Sequence, residues 1–318
     1  MDVCTSTLPA SWYTSNDLYT LERRAVFYKS WTLLGPVTKW PNAGEDYPNE
    51  IAQVHFIVRR ASADWRSLKV FSLNGLEMRS HLSPTGLLFL ALSDEAVSFE
   101  EFFPGLEELI AKADFTQYLL RRPLKYTTKA NWKTMVDGYQ ECLHCAYAHP
   151  AFAKVYSPVS YKVVNHKNYS QHFTCSENPL DGLFIYMFPN ATLSLYAGGV
   201  TSWRIMPQED ASSSVMEFDY YHEAEAGSKE FEDYFKFTRT VALEDLELAE
   251  RAQINLNIGI YTEGLLNPNK ENGVSYYQTQ VLDMCSAQYE KEQEQDTSSS
   301  AQRPFTPKIA QMTDPTCA

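Results

Sequence analysis

Short runs of alternating apolar and polar side chains recur through residues 160–222, and this pattern restricts the fold more than any other feature. The clearest runs are 191–197, 200–206 and 215–221, and they are separated by prolines or by paired glycines. A period of two places every second side chain on the same face of a strand. Strands separated by such breakers are typical of an antiparallel sheet, so we predict one across this region.

Apolar residues recur at helical spacing before and after the predicted sheet. We predict four helices on this spacing, at 16–31, 98–112, 228–256 and 273–290. Strand-like runs also occur earlier, at 53–59 and 86–92. The order of elements predicts an α+β fold, an antiparallel sheet wrapped by helices. We divide the chain into a β-rich N-terminal domain (1–122), a metal-bearing catalytic domain (123–292) and a disordered tail (293–318).

The sequence is acidic, with a formal net charge of -13 over 318 residues. A surface of this charge repels phosphates, so we expect no nucleic-acid partner. No apolar run reaches the roughly eighteen residues of a spanning helix, and no secretory signal is visible, so we expect a cytoplasmic protein without a membrane partner. The six cysteines are scattered, which favours free thiols in a reducing compartment.

The stretch 131–150 holds the first residues with a recognisable chemistry. His144 and His149 lie five positions apart, and Glu141 precedes the first by three. Five residues turn an ideal helix by about 140° beyond a full turn, so both imidazoles can face one ion only if the helix ends or deforms. Pro150 favours such an end, because proline biases the preceding residue away from helical geometry. Two ordinary histidines at the end of a helix are one interpretation, but two histidines beside a carboxylate favour a metal site.

One acid interrupts the apolar face of the long predicted helix. That face consists of Phe231, Phe235, Thr238, Ala242, Asp245, Ala249, Ala252 and Leu256. Burying an unpaired carboxylate costs several kcal/mol, so Asp245 must find a polar partner or bind a cation. A backbone group or an arginine such as Arg204 would serve as well as a metal. Glu244, Glu247 and Glu250 lie off this face and are predicted to be solvated.

Two imidazoles and one carboxylate form the facial triad of mononuclear Fe(II) oxygenases, which leaves further positions on the metal open. Zinc hydrolases use similar sets, so the donor atoms alone do not identify the metal. Cys142 and Cys145 offer another interpretation, as thiolate ligands of zinc or as a redox pair. It is the weaker one, because no second pair with zinc-finger spacing is present.

Several segments combine into a specific pattern. Asn131-Trp132-Lys133 precedes Glu141-x-x-His144-x-x-x-x-His149-Pro150, Phe188-Pro189-Asn190 leads to Trp203-Arg204, and Glu244-Asp245-Leu246 is followed by Gln253. Together they resemble the catalytic domain of Rieske-type ring-hydroxylating oxygenase α subunits. The form E-C-x-H-C-x-x-x-H-P resembles the branch that contains the choline, glycine-betaine and carnitine monooxygenases.

The resemblance implies a helix-grip catalytic domain in which His144, His149 and Asp245 bind Fe(II). It implies that Glu141 links this iron to the cluster of a neighbouring subunit, and that the subunits form a homotrimer. Glu141 and Asn131 are our catalytic candidates.

The N-terminal third departs from the family pattern. A Rieske centre needs two cysteines and two histidines, in the order C-x-H and C-x-x-H. Of these two residue types, residues 1–141 contain Cys4, His55 and His81 alone. We therefore expect a truncated Rieske-like domain without a [2Fe-2S] cluster.

These observations predict a mononuclear non-haem Fe(II) oxidoreductase that uses O₂ on a small organic substrate without an internal cluster. A redox-neutral metal-dependent lyase or isomerase is one alternative, and an inert subunit or truncated gene product is another. Whether an external reductase takes part is left open. Tyr186, Phe188, Tyr196 and Trp203 are expected to line the pocket, where they would also accept a quaternary ammonium group, although such rings are more often core.

Overall fold

The computed structural model describes residues 5–174 and 183–298. Its helices are α1 (Ser11–Thr14), α2 (Asn16–Glu22), α3 (Phe99–Phe102), α4 (Leu106–Ile110), α5 (Trp132–Tyr139), α6 (Cys145–Ala148), α7 (Pro150–Val155), α8 (Lys229–Asn257) and α9 (Asn272–Ser298). Its strands are β1 (Thr5–Ser6), β2 (Trp31–Pro36), β3 (Asp46–Ile51), β4 (Val54–Arg60), β5 (Leu68–Ser72), β6 (Ser80–Leu82), β7 (Leu87–Ala91), β8 (Leu119–Thr128), β9 (Lys162–His166), β10 (Tyr169–Phe173), β11 (Leu183–Met187), β12 (Ala191–Tyr196), β13 (Gly199–Pro207), β14 (Ser214–His222) and β15 (Leu265–Leu266). Short segments of π or 3-10 type occur at Arg23–Phe27, Val37–Lys39, Trp65–Ser67 and Phe115–Gln117.

Seven strands form one antiparallel sheet, in the order β8-β14-β13-β12-β11-β10-β9. The predicted runs 191–197, 200–206 and 215–221 coincide with β12, β13 and β14, so the predicted antiparallel sheet is confirmed. Strand β13 is buried along its whole length, because helices α5 and α8 pack against it. The sheet therefore provides the surface on which helices α5 and α8 pack.

The N-terminal part contains two smaller sheets, β2-β7-β6 and β3-β4-β5. The predicted strands 53–59 and 86–92 are confirmed as β4 and β7. The predicted helix 98–112 is divided into α3 and α4 by Gly105, whose φ of 80° a helix cannot accommodate. Strand β8 crosses the predicted boundary at residue 122 and pairs with β14, so both parts of the chain share the large sheet.

Helix α8 lies where the sequence places it and begins at a well-formed cap. The Ser228 side chain accepts a hydrogen bond from the Phe231 amide at 3.2 Å. The predicted inward face is correct at most positions but wrong at Ala252, which is exposed. Gln253 turns inward instead, and its amide group is satisfied by the Asn131 N–H at 2.9 Å and the Tyr13 carbonyl at 3.1 Å.

Helix α9 is longer than the predicted 273–290 and continues through Ser298. It therefore includes the first residues of the predicted tail, and 299–318 lie outside the described residues. Neither α9 nor any other helix in the described ranges combines the length and apolarity that crossing a bilayer would require.

The start of α9 holds the loop that follows α5. The Gln140 side chain donates to the Gly273 carbonyl at 3.2 Å and accepts a hydrogen bond from His172 Nε2 at 2.9 Å. A Cβ atom on Gly273 would collide with the Gln140 carbonyl oxygen. Only a residue without a side chain allows helix and loop to approach this closely.

Candidate metal centre

The chain between α5 and α7 breaks its helical path, and this brings two histidines together. Helix α5 ends at Tyr139, and the single turn of α6 separates His144 from His149. His149 has φ -120° and ψ 67°, so the helix ends there. Pro150 then occupies the first position of α7, where its missing N–H costs no hydrogen bond. The predicted end of the helix at this proline is confirmed.

Three donor atoms from His144, His149 and Asp245 converge. The Nε2 atoms of His144 and His149 lie 3.1 Å apart. Asp245 Oδ1 is 2.8 Å from His149 Nε2 and 3.3 Å from His144 Nε2. Within residues 5–174 and 183–298, no other group of three such side chains is close enough to hold a metal ion. The alternative partner Arg204 instead pairs with Glu217, so it does not serve Asp245.

A glutamate contacts the far nitrogen of each imidazole. His144 Nδ1 is bonded to Glu141 Oε1, and His149 Nδ1 lies 2.8 Å from Glu244 Oε2. A carboxylate at Nδ1 keeps the proton on that nitrogen and leaves the Nε2 lone pair directed at the metal position. The prediction that Glu244 is solvated holds only in part, because its side chain is 31% exposed but its carboxylate contacts His149.

The two other glutamates of α8 differ from each other. Glu247 is exposed, as predicted, and pairs with Arg251 on the surface. Glu250 is not free in solvent, because it accepts hydrogen bonds from the Lys129 amide at 3.1 Å and the Thr128 hydroxyl at 3.2 Å. It thereby ties α8 to the end of β8.

The pKa values at the centre reflect this crowding of acids and imidazoles. Burial lowers the pKa of His144, but hydrogen bonds to Asp245 and Glu141 outweigh it and raise the pKa to about 10. The pKa of His149 is also raised, since its bond to Asp245 outweighs burial. Burial opposes the charge of Asp245, yet the bonds to both imidazoles lower its pKa. The centre attracts positive charge, and a metal ion would replace the protons.

A cavity of about 120 Å³ opens beside the donor atoms. Its aromatic walls are formed by Tyr139, Phe152, Tyr156, Tyr161, Phe184, Tyr196, Trp203, Phe218 and Phe237. Of the four aromatic residues predicted here, Tyr196 and Trp203 line the cavity. Tyr186 and Phe188 do not, because they are buried in the core, where the Tyr186 hydroxyl donates to the Pro189 carbonyl at 2.7 Å.

A second cavity, of about 470 Å³, reaches the same centre from the other side of α5. Glu141, His144 and Asp245 line both cavities, and Asp137 and Tyr13 line the second. The donor atoms are thus accessible from two directions.

Cys142 and Cys145 form a disulfide on either side of His144. The expectation of free thiols is therefore wrong for this pair, and the two sulfurs are bonded to each other rather than available as zinc thiolates. The disulfide closes the loop that carries His144 onto the first turn of α6. Cys285 is a buried free thiol, and the remaining cysteines, Cys4, Cys175 and Cys317, lie outside the described residues.

Asn131 does not line either cavity. Its side chain caps α5 by accepting from the Lys133 amide at 3.0 Å, and it donates to the Ala211 carbonyl at 2.6 Å. The structure thus brings Glu141 to the donor atoms, whereas Asn131 contacts the backbone that positions α5.

The family model for the ring hydroxylating alpha subunit (catalytic domain) matches residues 115–178 and 165–287, which is more than half of the chain. The chain belongs to this family. The expected family of Rieske oxygenase α subunits is confirmed.

Curated relatives of the chain are monooxygenase subunits. The carnitine monooxygenase oxygenase subunit of Acinetobacter baumannii is 26% identical over 218 residues, which are 61% of this chain and 58% of that protein. The Escherichia coli K12 subunit of the same name is 24% identical over 315 residues, covering 79% and 84%. The chloroplastic choline monooxygenase of Arabidopsis thaliana is 22% identical and covers 81% and 78%. The chain thus spans less than two thirds of the length of the first of these relatives.

Solved structures share the fold. A quaternary ammonium Rieske monooxygenase in complex with L-carnitine superposes with a TM-score of 0.78 at 20% identity, covering 89% of this chain and 96% of that one. Naphthalene 1,2-dioxygenase from Rhodococcus sp. bound to indole superposes with a TM-score of 0.66 at 13% identity, covering 88% and 94%. The expected α+β catalytic fold, an antiparallel sheet wrapped by helices, is confirmed by this similarity.

Sequence reasoning missed two features of the centre, the role of Glu244 and the disulfide. Glu244 directly precedes Asp245 in the sequence, and this position could have indicated that it lies near the same histidine. Cys142 and Cys145 were considered only as a zinc or redox motif, although their separation of three residues also allows a local disulfide.

Proposed function

We propose that this chain is a mononuclear non-haem iron oxygenase that uses O₂ on a small organic substrate. The observation that carries the proposal is the convergence of His144, His149 and Asp245 at the end of an aromatic cavity. Two imidazole nitrogens and one carboxylate oxygen on one side leave the cavity side open, which is the donor set of the Fe(II) facial triad. Bound there, ferrous iron would supply the electron-transfer chemistry that activates O₂.

The protein side chains would orient the ligands and exclude water. Glu141 and Glu244 hold the Nδ1 protons of the two imidazoles, so each ring presents its Nε2 lone pair to the metal position. The aromatic walls remove water from the space beside it, which protects reactive species from side reactions. The relatives are named for choline, glycine betaine and carnitine, so quaternary ammonium compounds are the first candidate substrates, and choline is the one of the three without a carboxylate.

We further propose that the chain has no iron–sulfur cluster of its own and receives electrons from an external reductase or from its substrate. The support lies in the sequence, where no Cys-x-x-His occurs and the one Cys-x-His ends in the proposed ligand His144. A homotrimer is the assembly that the family resemblance favours, and sedimentation of the purified chain tests it.

Anaerobic reconstitution with Fe(II) tests the iron site. We expect about one tightly bound iron per chain, lost in His144→Ala and retained in His55→Ala, whose exposed side chain lies on β4. Iron that remains bound in His144→Ala, or a wild type that never binds it, would contradict the site.

Two further measurements test the chemistry. Acid-labile sulfide in the pure protein would contradict the cluster-free proposal. The iron-loaded protein is expected to consume oxygen when a substrate is added. Equal turnover without O₂ would instead indicate a redox-neutral enzyme.

A further inference from the structure

The cavity beside the metal centre is lined by neutral side chains apart from the centre itself. Glu141, His144, His149 and Asp245 are the charged or titratable metal-site groups on its walls, and no lysine or arginine lines it among the described residues.

Most hydroxyl groups of the walls are already engaged. The Tyr161 hydroxyl donates to His172 Nδ1 at 2.7 Å, and the Thr201 hydroxyl lies 2.6 Å from that of Tyr234. Tyr196 is bonded to Thr238 in the same way. Among the described wall residues, the hydroxyls of Tyr139 and Thr174 have no hydrogen-bond partner, so few donors are left that could solvate a negative charge of a ligand.

The histidine behind this wall does not supply positive charge either. His172 is fully buried, and both of its ring nitrogens are occupied, by Tyr161 and Gln140. Burial lowers the pKa of His172 to about 3, so the ring is neutral near pH 7.

The inner end of the cavity is negative. Glu141 and Asp245 line it, and Glu244 lies directly behind His149. Three carboxylates carry a formal charge of about -3, and either a divalent ion or two protonated imidazoles leave about -1. The aromatic faces add the negative side of their quadrupoles, which attracts cations and repels anions.

We infer that this cavity excludes anionic groups, so the substrate of the proposed oxygenase is an uncharged or cationic compound without a free carboxylate. A buried carboxylate needs donors or a cationic partner, and the described walls offer neither in sufficient number. That the bound compound is a substrate rests on the proposed function, but the selection against anions is a property of the cavity alone.

The test compares acids with their methyl esters on metal-free protein, so it does not depend on iron chemistry. We would use two pairs, glycine betaine with its methyl ester and phenylacetate with its methyl ester. Binding is measured by calorimetry. We expect each ester to bind about tenfold more tightly than its acid, or better.

A charge-placing variant provides the matched control. Phe237 lies on α8 at the cavity wall, with its ring 6.3 Å from that of Tyr196. Phe237→Lys places an ammonium group there, and Phe237→Met has a similar length without the charge. We expect Phe237→Lys to lose most of the preference for esters, and Phe237→Met to retain it.

Three results would overturn the inference. These are equal or tighter binding of the acids by the wild type, no binding of either ester at millimolar concentration, and an ester preference that is identical in Phe237→Lys and Phe237→Met. An ester preference in a protein that never binds iron would support the cavity inference and contradict the proposed function alone.

Discussion

Helix α5 separates two clusters of buried charge that are balanced in different ways. On one side Lys133 and Glu22 are both fully buried and pair at 2.7 Å, and Trp132 donates to the same glutamate at 2.8 Å. On the other side Glu141, Glu244 and Asp245 contact two imidazoles. No lysine or arginine pairs with these three acids in the part of the chain that the structure describes.

The difference separates a structural charge cluster from a ligand-binding one. A buried ion pair that satisfies itself has no use for an added ion, and its main effect is on folding. A cluster with an excess of acids is stable only with protons or a metal, so its properties depend on what is bound. The comparison predicts that changes on one side of α5 affect stability, and changes on the other side affect metal binding.

The largest effect is expected from Lys133→Met. It leaves Glu22 buried without its cationic partner, and the free energy of unfolding should fall by about 3–5 kcal/mol. Urea denaturation measures it. The double variant Lys133→Met, Glu22→Gln should regain a large part of the lost stability. If Lys133→Met alone were as stable as the wild type, the Lys133–Glu22 pair would not stabilise the fold.

Removal of the metal should have the next largest effect. At a free Fe(II) concentration about 100-fold above Kd, binding stabilises the folded chain by about 2.7 kcal/mol. Thermal unfolding under anaerobic conditions, with and without a chelator, measures the difference. His144→Ala should show no such difference, and an identical chelator effect in that variant would place the metal elsewhere.

Asp137, one helical turn after Lys133 on α5, makes the stability of the fold depend on pH. Burial raises the pKa of Asp137 to about 6 from 3.8, although bonds from Tyr277, Gln278 and Tyr13 oppose the shift. The folded state therefore binds this proton more tightly, so the contribution of Asp137 to stability is greatest below about pH 4 and falls as pH rises to about 6.

The variant Asp137→Asn isolates this contribution. The stability of the wild type relative to the variant should fall by on the order of 2 kcal/mol between about pH 4 and pH 7, less than the full shift because the carboxyl faces a cavity. Paired urea titrations at several pH values measure it. A difference between the two proteins that does not change with pH would exclude the raised pKa.

The smallest effect is expected from Glu244→Gln. Loss of the carboxylate at His149 Nδ1 should weaken Fe(II) binding by about tenfold, with little change in stability. Glu247→Gln, one turn away on the exposed side of the same helix, is the matched control and should bind iron as the wild type does. Equal Fe(II) affinities in Glu244→Gln and Glu247→Gln would show that Glu244 does not position His149.

The sequence predicted those elements whose signals are local. The strands β12 to β14 follow from alternation, and α8 follows from helical spacing and the Ser228 cap. Asp245 stood out because it was the one acid on an apolar face. Burial alone left its partner open between a metal and a group such as Arg204, and the family resemblance joined it to His144 and His149.

The features that sequence did not predict depend on contacts between distant residues. Gln253 replaces Ala252 on the inward face because Asn131 and Tyr13, from other parts of the chain, satisfy its amide. The contact of Glu244 with His149 has the same kind of cause, since the fold brings His149 within reach of the Glu244 carboxylate. Helical spacing alone gives no information on such partners.

The close approach of Gly273 to Gln140 connects the candidate metal centre to the far end of the chain. A methyl group at position 273 would collide with the Gln140 backbone and press on Val163, and the loop that begins at Gln140 leads directly to Glu141 and His144. Sequence changes in the first turn of α9 therefore offer evolution a remote means of adjusting, or abolishing, the proposed activity without altering His144, His149 or Asp245.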